Sequence, residues 1–335
     1  MILGIESSCD EFSLSLYRPE TGIVGEWTHS QIIKHAEYGG VVPDLAVVEH
    51  LNNFIPLLNL ARSNINISRE VKKIAVTCGP GLVGSLGVGL SVAKTLGMLW
   101  SVPVFGVNHL RGHAFSPFID IKDWDTLLPH LGLLVSGGNT ILFCLNEKRE
   151  ISILARTVDD AVGEALDKGA KLMGIPYPGG AEMERLAKNG DRSFYDFPKA
   201  FPKKSDMKFS FSGLKTSLLY RLQKMAEDEI SENYANLLAS YQWAAVQQLV
   251  RKTSQALELR EFRSVGLSGG VANNQLLRDQ MTLMANDIGM PLLSAKPKYT
   301  GDNATMIAFA SHVDSSNLFA NEENYLTFIP SLRLD

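Results

Sequence analysis

The chain has 335 residues, of which 45% are hydrophobic and 20% charged, and its formal net charge is −4. This composition is that of a globular protein, and the length exceeds what one hydrophobic core usually serves, so two domains are expected. The negative net charge argues against a generally basic nucleic-acid-binding protein, although it leaves room for a local basic patch.

The N-terminal segment MILGIESSCDEF has no basic region and only a short apolar run, which is not the pattern of a signal or transit peptide. No apolar run is expected to approach the roughly 18 residues of a membrane span, so no membrane association is predicted. The three cysteines, Cys9, Cys78 and Cys144, are far apart, so neither a disulfide framework nor a zinc knuckle is expected. These features favour a cytoplasmic protein.

Two parts of the chain repeat one order of predicted elements. Each begins with a β-hairpin whose tip is rich in Ser or Gly, and a third strand and alternating helices and strands follow. In the first part these are MILGIESSCD with FSLSLY, GIVGEWTHS, a helix over 45–62, a strand over 73–77 and a helix over 82–100. In the second part they are LGLLVSGGNT with ILFCL, ISILART, helices over 159–174 and 234–259, a strand over 264–268 and a helix over 273–287. The repeated order predicts an α/β protein of two similar lobes with a cleft between them, and residues 189–216 are predicted to be an irregular surface insertion.

Five turns could approach a phosphate or a nucleoside: ESSCD, CGPGLVGSLG, VSGGNT, YPGG and LSGGVANN. Glycine lets backbone N–H groups come close to a ligand, and the N-terminus of a following helix favours an anion. Each turn alone is explained as well by the conformational needs of a tight turn, but the set indicates a nucleotide cleft. Asp167, on the predicted helix over 159–174, either accepts hydrogen bonds from a ribose or lies on a solvated helix face.

The segment NHLRGHAF places His109 and His113 four residues apart, which puts both on one face of a helix. A known protease motif has this spacing with Glu directly after the first His, but Leu110 stands there in this chain. With Asp302 of YTGDNATMIAFA, the two histidines can hold Fe(II) or Zn(II) and leave positions open for a substrate. The alternatives are a structural histidine pair, and an N-cap role for Asp302 at the helix that follows it.

Nine motifs, in order over nearly the whole chain, resemble those of the tRNA adenosine threonylcarbamoyltransferase family, once labelled O-sialoglycoprotein endopeptidase. They are GIESSCDE, HAEYGGVVPDLA, GPGLVGSLGVGL, HLRGH, LLVSGGNT, DDAVGEALDKGAKLMGIPYPGG, FSFSGLKT, SGGVANN and GDNATMIA. The resemblance implies the actin/Hsp70/sugar-kinase (ASKHA) fold of two ribonuclease-H-like lobes. We expect the first lobe over 1–108, completed by a segment from about 303 to 335, and the second over 109–302.

The resemblance implies transfer of a threonylcarbamoyl group from threonylcarbamoyl-AMP to N6 of adenosine 37 in tRNAs that read ANN codons. It implies that His109, His113 and Asp302 bind one divalent metal per subunit, Fe(II) with Zn(II) as the alternative. The substrate contacts that it implies are Leu134, Val135, Ser136, Gly137, Gly138, Asp167, Gly180 and Asn274. The partners that it implies are tRNA, a shorter paralogue of the same fold and a small P-loop ATPase.

The chain departs from the family pattern at four positions. Asn139 stands where most bacterial members have His, and Leu134 stands where some relatives have a metal-binding Tyr. Gly301 fills a position that is often Thr or Ser, and Val48 fills one that is usually Arg in bacterial members. The three residues of the expected metal site match the family.

Two further roles are hypotheses. Asp10 and Glu11, after the first hairpin turn, are the nearest candidates for a general base, with surface acids as the alternative. The lysine cluster of the insertion is a candidate tRNA surface, with a solvated loop as the alternative; it consists of Lys203, Lys204, Lys208 and Lys215. The competing functions are a kinase or ATPase of the same fold, a metalloprotease, and a catalytically silent subunit of a complex.

Overall fold

The computed structural model describes residues 1–63, 66–320 and 326–335. The strands among these residues are β1 (Ile2–Glu6), β2 (Glu11–Arg18), β3 (Gly22–Ser30), β4 (Lys73–Gly79), β5 (Val104–Asn108), β6 (His130–Val135), β7 (Thr140–Leu145), β8 (Ile151–Arg156), β9 (Ser264–Ser268), β10 (Leu292–Ser294) and β11 (Phe319–Ala320). The α-helices among them are α1 (Ile32–Ala36), α2 (Pro43–Arg62), α3 (Ile67–Glu70), α4 (Val83–Trp100), α5 (His109–Phe115), α6 (Val162–Leu172), α7 (Gly180–Ala187), α8 (Ser212–Leu222), α9 (Glu227–Glu232), α10 (Tyr234–Leu257), α11 (Gln275–Asp287) and α12 (Ala304–Val313). Short 3₁₀ helices cover Ser116–Phe118, Trp124–Leu127, Gly270–Asn273, Pro297–Tyr299 and Ser315–Asn317. The predicted strands and helices are confirmed, and their ends lie within three residues of the predicted ones.

The chain forms two compact units. Unit 1 consists of Met1–Lys122 with Ala295–Asp335, and unit 2 consists of Asp123–Ser294. The first boundary between the units, after Lys122, therefore lies later than the expected one after residue 108. The second boundary, after Ser294, lies earlier than the expected one after residue 302. The physical reason is that α5 packs against α12, so the segments around both helices belong to one unit. Of the expected C-terminal segment 303–335, residues 321–325 lie outside the described residues.

Unit 1 is built on a six-stranded sheet with the order β11-β5-β4-β1-β2-β3. Strand β1 pairs antiparallel with β2 and parallel with β4. Helices α2, α4 and α12 pack on this sheet, and a Cβ atom at Gly4 would lie 2.3 Å from the carbonyl oxygen of Ala304 in α12. Every residue of β1 is buried, which explains why this strand is a nearly continuous apolar run in the sequence.

Helix α4 corrects one expectation. Its 18 residues have a mean hydropathy of 1.3, so by length and composition it could cross a membrane, although no run of that kind was expected. Half of the helix is buried, and Leu86, Leu90 and Ala93 belong to the core of unit 1. A helix that packs into a core can be as apolar as a membrane span, so the composition of α4 is explained by its place in unit 1.

Unit 2 repeats the strand arrangement of unit 1. Its five-stranded sheet has the order β10-β9-β6-β7-β8, in which β6 pairs antiparallel with β7 and parallel with β9. In both units a central strand thus leads into an antiparallel hairpin on one side and a parallel strand on the other. Within the predicted insertion, residues 189–211 contain no named helix or strand, and α8 begins at Ser212.

Candidate functional site

The two histidines of the HxxxH motif lie on the short helix α5. The side chain of Asn108 begins this helix by accepting a hydrogen bond from the N–H of Leu110 at 2.9 Å. The four-residue spacing places His109 and His113 on one face in an edge-to-face arrangement, with ring centroids 4.7 Å apart and planes at 89°. Both rings are buried, so they are held as a pair.

Asp302 faces these histidines. Its Oδ1 lies 3.4 Å from His109 Nε2 and 3.0 Å from His113 Nε2. The N-cap of α12 is its neighbour Asn303, whose Oδ1 accepts the N–H of Met306 at 2.9 Å, so the capping alternative for Asp302 is wrong. One ligand atom from each of the three residues lies within 4.8 Å of the others, and together they form a possible three-residue metal site, called the triad below.

The triad is strongly polarised without a metal. Burial raises the pKa of Asp302, but the neighbouring His109 and His113 outweigh it and bring the pKa to about 2. Burial lowers the pKa of His109, but the charges of Asp302 and Glu6 outweigh it and raise the pKa to about 9. The surrounding carboxylates therefore favour a positive charge at this position. In the metal-free protein that charge is the extra proton on His109.

The candidate bases lie at the first hairpin turn of the same unit. Asp10 is buried, and its carbonyl oxygen accepts the N–H of Gln31 at 3.0 Å. Glu11 begins β2 and accepts a hydrogen bond from the Ser30 hydroxyl at 3.2 Å. Burial, followed by the charges of Asp302 and Asp10, raises the pKa of Glu11 to about 9. Glu11 thus carries a proton at neutral pH in the metal-free protein, and a cation beside Asp302 would favour its release.

The expected substrate loop, residues 134–138, is the tip of the β6–β7 hairpin in unit 2. Leu134 and Val135 are buried in the strand, so only their backbone can meet a ligand. The tip is closed by hydrogen bonds from Ser136 N to Asn139 O (2.8 Å) and from Asn139 N to Ser136 Oγ (3.1 Å). Gly137 and Gly138 are exposed, and nothing lies within 4 Å of where their Cβ atoms would be. The tip therefore presents open backbone.

The remaining expected contacts, also in unit 2, already have structural partners. Asp167 Oδ1 accepts the N–H groups of Gly179 and Gly180, both at 2.9 Å, so it holds the YPGG turn at the start of α7. Burial raises the pKa of Asp167, and these two N–H groups oppose that rise. Asn274 caps α11 by accepting the N–H of Leu277 at 3.0 Å. Asp167 is therefore hydrogen-bonded within unit 2, and the alternative that it lies on a solvated helix face is wrong.

Two carboxylates near these residues were missed in the sequence. Glu6 lies at the end of β1, with Oε2 3.1 Å from His109 Nδ1. Glu184 on α7 accepts the N–H of Gln275, beside Asn274, at 2.6 Å. A charged residue inside the apolar run ILGIE was a signal for Glu6, because ionised groups are rarely buried without a partner. Glu184 had no such signal, since it lies on an amphipathic helix.

Comparison with known proteins supports one family. A sequence model of tRNA N6-adenosine threonylcarbamoyltransferase matches residues 22–309. A protein of that name from Francisella philomiragia is 42% identical over 95% of this chain and 95% of its own length. Another, from Fervidobacterium nodosum, is 39% identical over 98% of this chain and 97% of its own length.

Solved structures show the fold. HypF from T. kodakarensis superposes with a TM-score of 0.60 at 14% identity, over 92% of this chain and 46% of its own. The activator of the 2-hydroxyisocaproyl-CoA dehydratase from Clostridium difficile gives 0.53 at 14% identity, over 94% and 95% of the two chains. The two-lobed ASKHA fold expected from the sequence is thereby confirmed. From the family match over most of its length, the chain belongs to the tRNA N6-adenosine threonylcarbamoyltransferases, enzymes that transfer a threonylcarbamoyl group to N6 of an adenosine in tRNA.

Proposed function

We propose that the enzyme takes the threonylcarbamoyl group from threonylcarbamoyl-AMP and transfers it to adenosine 37 of tRNAs that read ANN codons, in the cytoplasm. The observation that carries this proposal is the triad of His109, His113 and Asp302. One ligand atom from each of these residues lies within 4.8 Å of the others. The Glu that serves metalloproteases as a general base after the first histidine is replaced by Leu110, so the site suits activation of an acyl donor better than peptide hydrolysis.

The triad fits a divalent metal. Two imidazole nitrogens and one carboxylate oxygen are the donors that Fe(II) or Zn(II) accepts with positions left open, and we favour Fe(II) because two His and one carboxylate are typical of its open sites. When bound, such a metal would act as a Lewis acid on the acyl donor. His109 and His113 would hold it from α5, and Asp302 from the turn before α12.

The adenylate is assigned to the glycine-rich turns of unit 2. The open backbone of Gly137 and Gly138 suits an approaching phosphate, with Leu134, Val135 and Ser136 contributing through the same hairpin end. Because Oδ1 of Asp167 is occupied by two backbone N–H groups, Oδ2 is the oxygen left to accept a ribose hydroxyl. Gly180 and Asn274 would complete the contacts.

The transfer itself moves one acyl group and one proton. The N6 amine forms a C–N bond to the carbamoyl carbon, the bond from that carbon to the phosphate oxygen breaks, and AMP leaves. The amine loses a proton, and Asp10 and Glu11, at the first hairpin turn of unit 1, are the proposed acceptors. Glu11 would act in its ionised form, which a cation beside Asp302 would favour by offsetting the charges that raise its pKa.

Two surfaces support the proposed partners. On α2, Val48, Leu51 and Ile55 are 52%, 61% and 53% exposed and share one helix face, which fits an interface with the shorter paralogue. The P-loop ATPase stays a partner implied by the family resemblance. In the insertion, Lys203, Lys204 and Lys208 are exposed, which fits contact with tRNA phosphates.

The test is reconstitution. The protein, its partner proteins, tRNA and threonylcarbamoyl-AMP should yield threonylcarbamoyladenosine, measured by nucleoside mass spectrometry. His109→Ala should abolish the product, whereas Lys148→Ala on an exposed turn of unit 2 should not change it. Wild-type product from the His109→Ala protein would refute a role for the metal in transfer. Cleavage of a glycoprotein without any modified nucleoside would refute the proposed reaction.

A further inference from the structure

Glu6 contacts His109 of the triad on the ring nitrogen that faces away from Asp302. Its carboxylate is fully buried at the end of β1, and Oε2 lies 3.1 Å from Nδ1 of His109. A carboxylate accepts a hydrogen bond but cannot donate one, so Nδ1 must carry the proton in this pair. When the ring gives up its second proton, as it must to bind a metal, the lone pair is on Nε2, the nitrogen that faces Asp302.

Glu6 is itself fixed from two sides. The N–H of Ser8 donates to Oε1 at 2.6 Å, and the Thr77 hydroxyl donates to Oε2. The hydroxyl of Ser8 lies 3.2 Å from the same Nδ1 of His109. These donors hold the carboxylate with Oε2 toward the imidazole.

The two histidines are not equivalent. His113 directs Nε2 to Asp302, but its buried Nδ1 has no hydrogen-bond partner among the described residues. His109 alone has its distant nitrogen held by a carboxylate. A carboxylate in that place makes an imidazole a stronger metal ligand and fixes its orientation.

We propose that Glu6 is a positioning residue of the metal centre, which directs the Nε2 lone pair of His109 toward the metal and increases its basicity. This inference rests on the metal centre proposed above. Ser8 and Thr77 act through Glu6 by supplying the donors that hold its carboxylate.

The test compares Glu6→Gln with Glu6→Ala. The amide oxygen of Gln must face the N–H of Ser8, because that backbone donor cannot reverse. The amide N–H₂ then faces Nδ1 of His109 and drives the imidazole to the tautomer with its proton on Nε2, which blocks the metal. We therefore expect Glu6→Gln to weaken metal binding about 10–100-fold, and by at least as much as Glu6→Ala. A residue that only filled space would give the opposite order.

The measurement is the dissociation constant of Zn(II) and of Fe(II), obtained by chelator competition on metal-free protein, with ring ¹⁵N shifts reporting the His109 tautomer. Glu49→Gln is the matched control, since Glu49 is a buried carboxylate of unit 1 whose partner is Lys34 at 2.6 Å. Wild-type affinity in folded Glu6→Gln protein, or a loss confined to Glu6→Ala, would overturn the role of Glu6. Absence of metal binding by the wild type would instead overturn the metal centre, and the inference with it.

Discussion

Asp302 and Asn303 are adjacent residues that do different work. The Asn303 side chain accepts the N–H of Met306 and starts α12, which leaves the Asp302 carboxylate free to face the two histidines. Both residue types are good N-caps, so sequence alone cannot say which one caps. The division of roles depends on a backbone geometry that only the folded chain supplies.

This division predicts opposite phenotypes for two neighbouring substitutions. Asn303→Ala should lower the free energy of unfolding by about 1 kcal/mol, because α12 loses its cap, while the protein still binds one metal ion. Asp302→Ala should abolish stoichiometric metal binding while α12 remains capped. Thermal unfolding and metal analysis of both variants check this. Loss of metal from Asn303→Ala alone would contradict the assignment.

Because His130 is buried, we expect the free energy of unfolding to decrease at acidic pH. It is fully buried at the start of β6, its Nδ1 donates to Ser264 Oγ at 2.7 Å, and burial lowers its pKa to about 3. The unfolded chain binds this proton near pH 6.5, but the folded chain does not, so stability is present at neutral pH and is lost as pH falls toward 3.

As the pH falls from 7 to 5, the free energy of unfolding should decrease by about 2 kcal/mol because of His130. His130→Asn should therefore flatten the pH dependence of unfolding in denaturant, whatever its effect on stability at pH 7. An unchanged slope would mean that His130 becomes protonated in the folded protein at mildly acidic pH.

At this scale the sequence predicts residues better than it predicts their partners. The His spacing and the GDN turn were enough to predict the three residues of the triad. The partner of His109 Nδ1 was not predictable, because Glu6 is 103 positions away and meets it only through the pairing of strands. The contacts of Asp167 were missed for the same reason, since helical periodicity gives a face but not what lies opposite it.

Helix α5 is short, and the rest of unit 1 holds it in place. All seven of its residues are buried. Arg111, between the two histidines, forms an ion pair with Asp314, and its Nη1 donates to the carbonyl oxygen of Leu334 at 3.3 Å. The Asn108 side chain donates to the carbonyl oxygen of Arg333 at 2.5 Å. The helix that carries the two histidines is thus fixed by Asp314, Arg333 and Leu334.

The ion pair predicts a large stability effect. Asp314→Ala would leave the Arg111 charge buried and unpaired, so we expect a loss of about 3–5 kcal/mol in unfolding free energy. The control is Asp125→Ala, which breaks the exposed pair with Arg149, where side chains are 60% and 38% exposed, and should cost under about 1 kcal/mol. Denaturant unfolding measures both. Equal effects would show that Arg111 reaches water.

The helices and strands that the sequence predicts are those with long periodic patterns. The complete burial of helix α5 was not predicted, because the polar side chains of His109, Arg111 and His113 are typical of exposed positions. Helix α4 was misjudged in the opposite sense, since its apolar length was overlooked. Short elements such as α1 and β11 carry too few residues to show a period.

For the molecule as a whole, the repeated strand order was readable because each unit begins with the same hairpin and third strand. The boundary between the units was not, since no linker composition marks it. Chain connectivity also hides that Ala295–Asp335 belongs with Met1–Lys122. Only packing between distant helices, such as α5 and α12, reveals that division.

The tRNA surface is the prediction that concerns the whole molecule. The insertion is held on α10, where Arg251 Nη2 donates to Ala200 O at 2.6 Å and Lys252 Nζ donates to Lys203 O at 3.1 Å. Lys203→Glu and Lys208→Glu together should weaken tRNA binding and flatten its salt dependence, because fewer counterions are released.

The control is Lys148→Glu on the exposed turn between β7 and β8, which changes the net charge in the same way for each substitution. Filter binding over a range of salt concentrations gives the slope of log affinity against log salt. We expect a decrease of about one in that slope for each lost phosphate contact. Equal slopes in the insertion and control variants would remove this surface from the interface.

The order of the triad along the chain has a consequence for biosynthesis. His109 and His113 leave the ribosome long before Asp302, and all of unit 2 is made in the interval. A nascent chain thus carries two histidines without their carboxylate, and the helix that bears them lacks Asp314 and the carbonyl groups of Arg333 and Leu334. In the proposed metal centre, stable binding of the metal would therefore follow translation of Asp302 and of the residues that hold α5. Chains truncated before Asp302 would then lack bound metal, whereas chains that contain Asp302 and residues 314–334 could hold it.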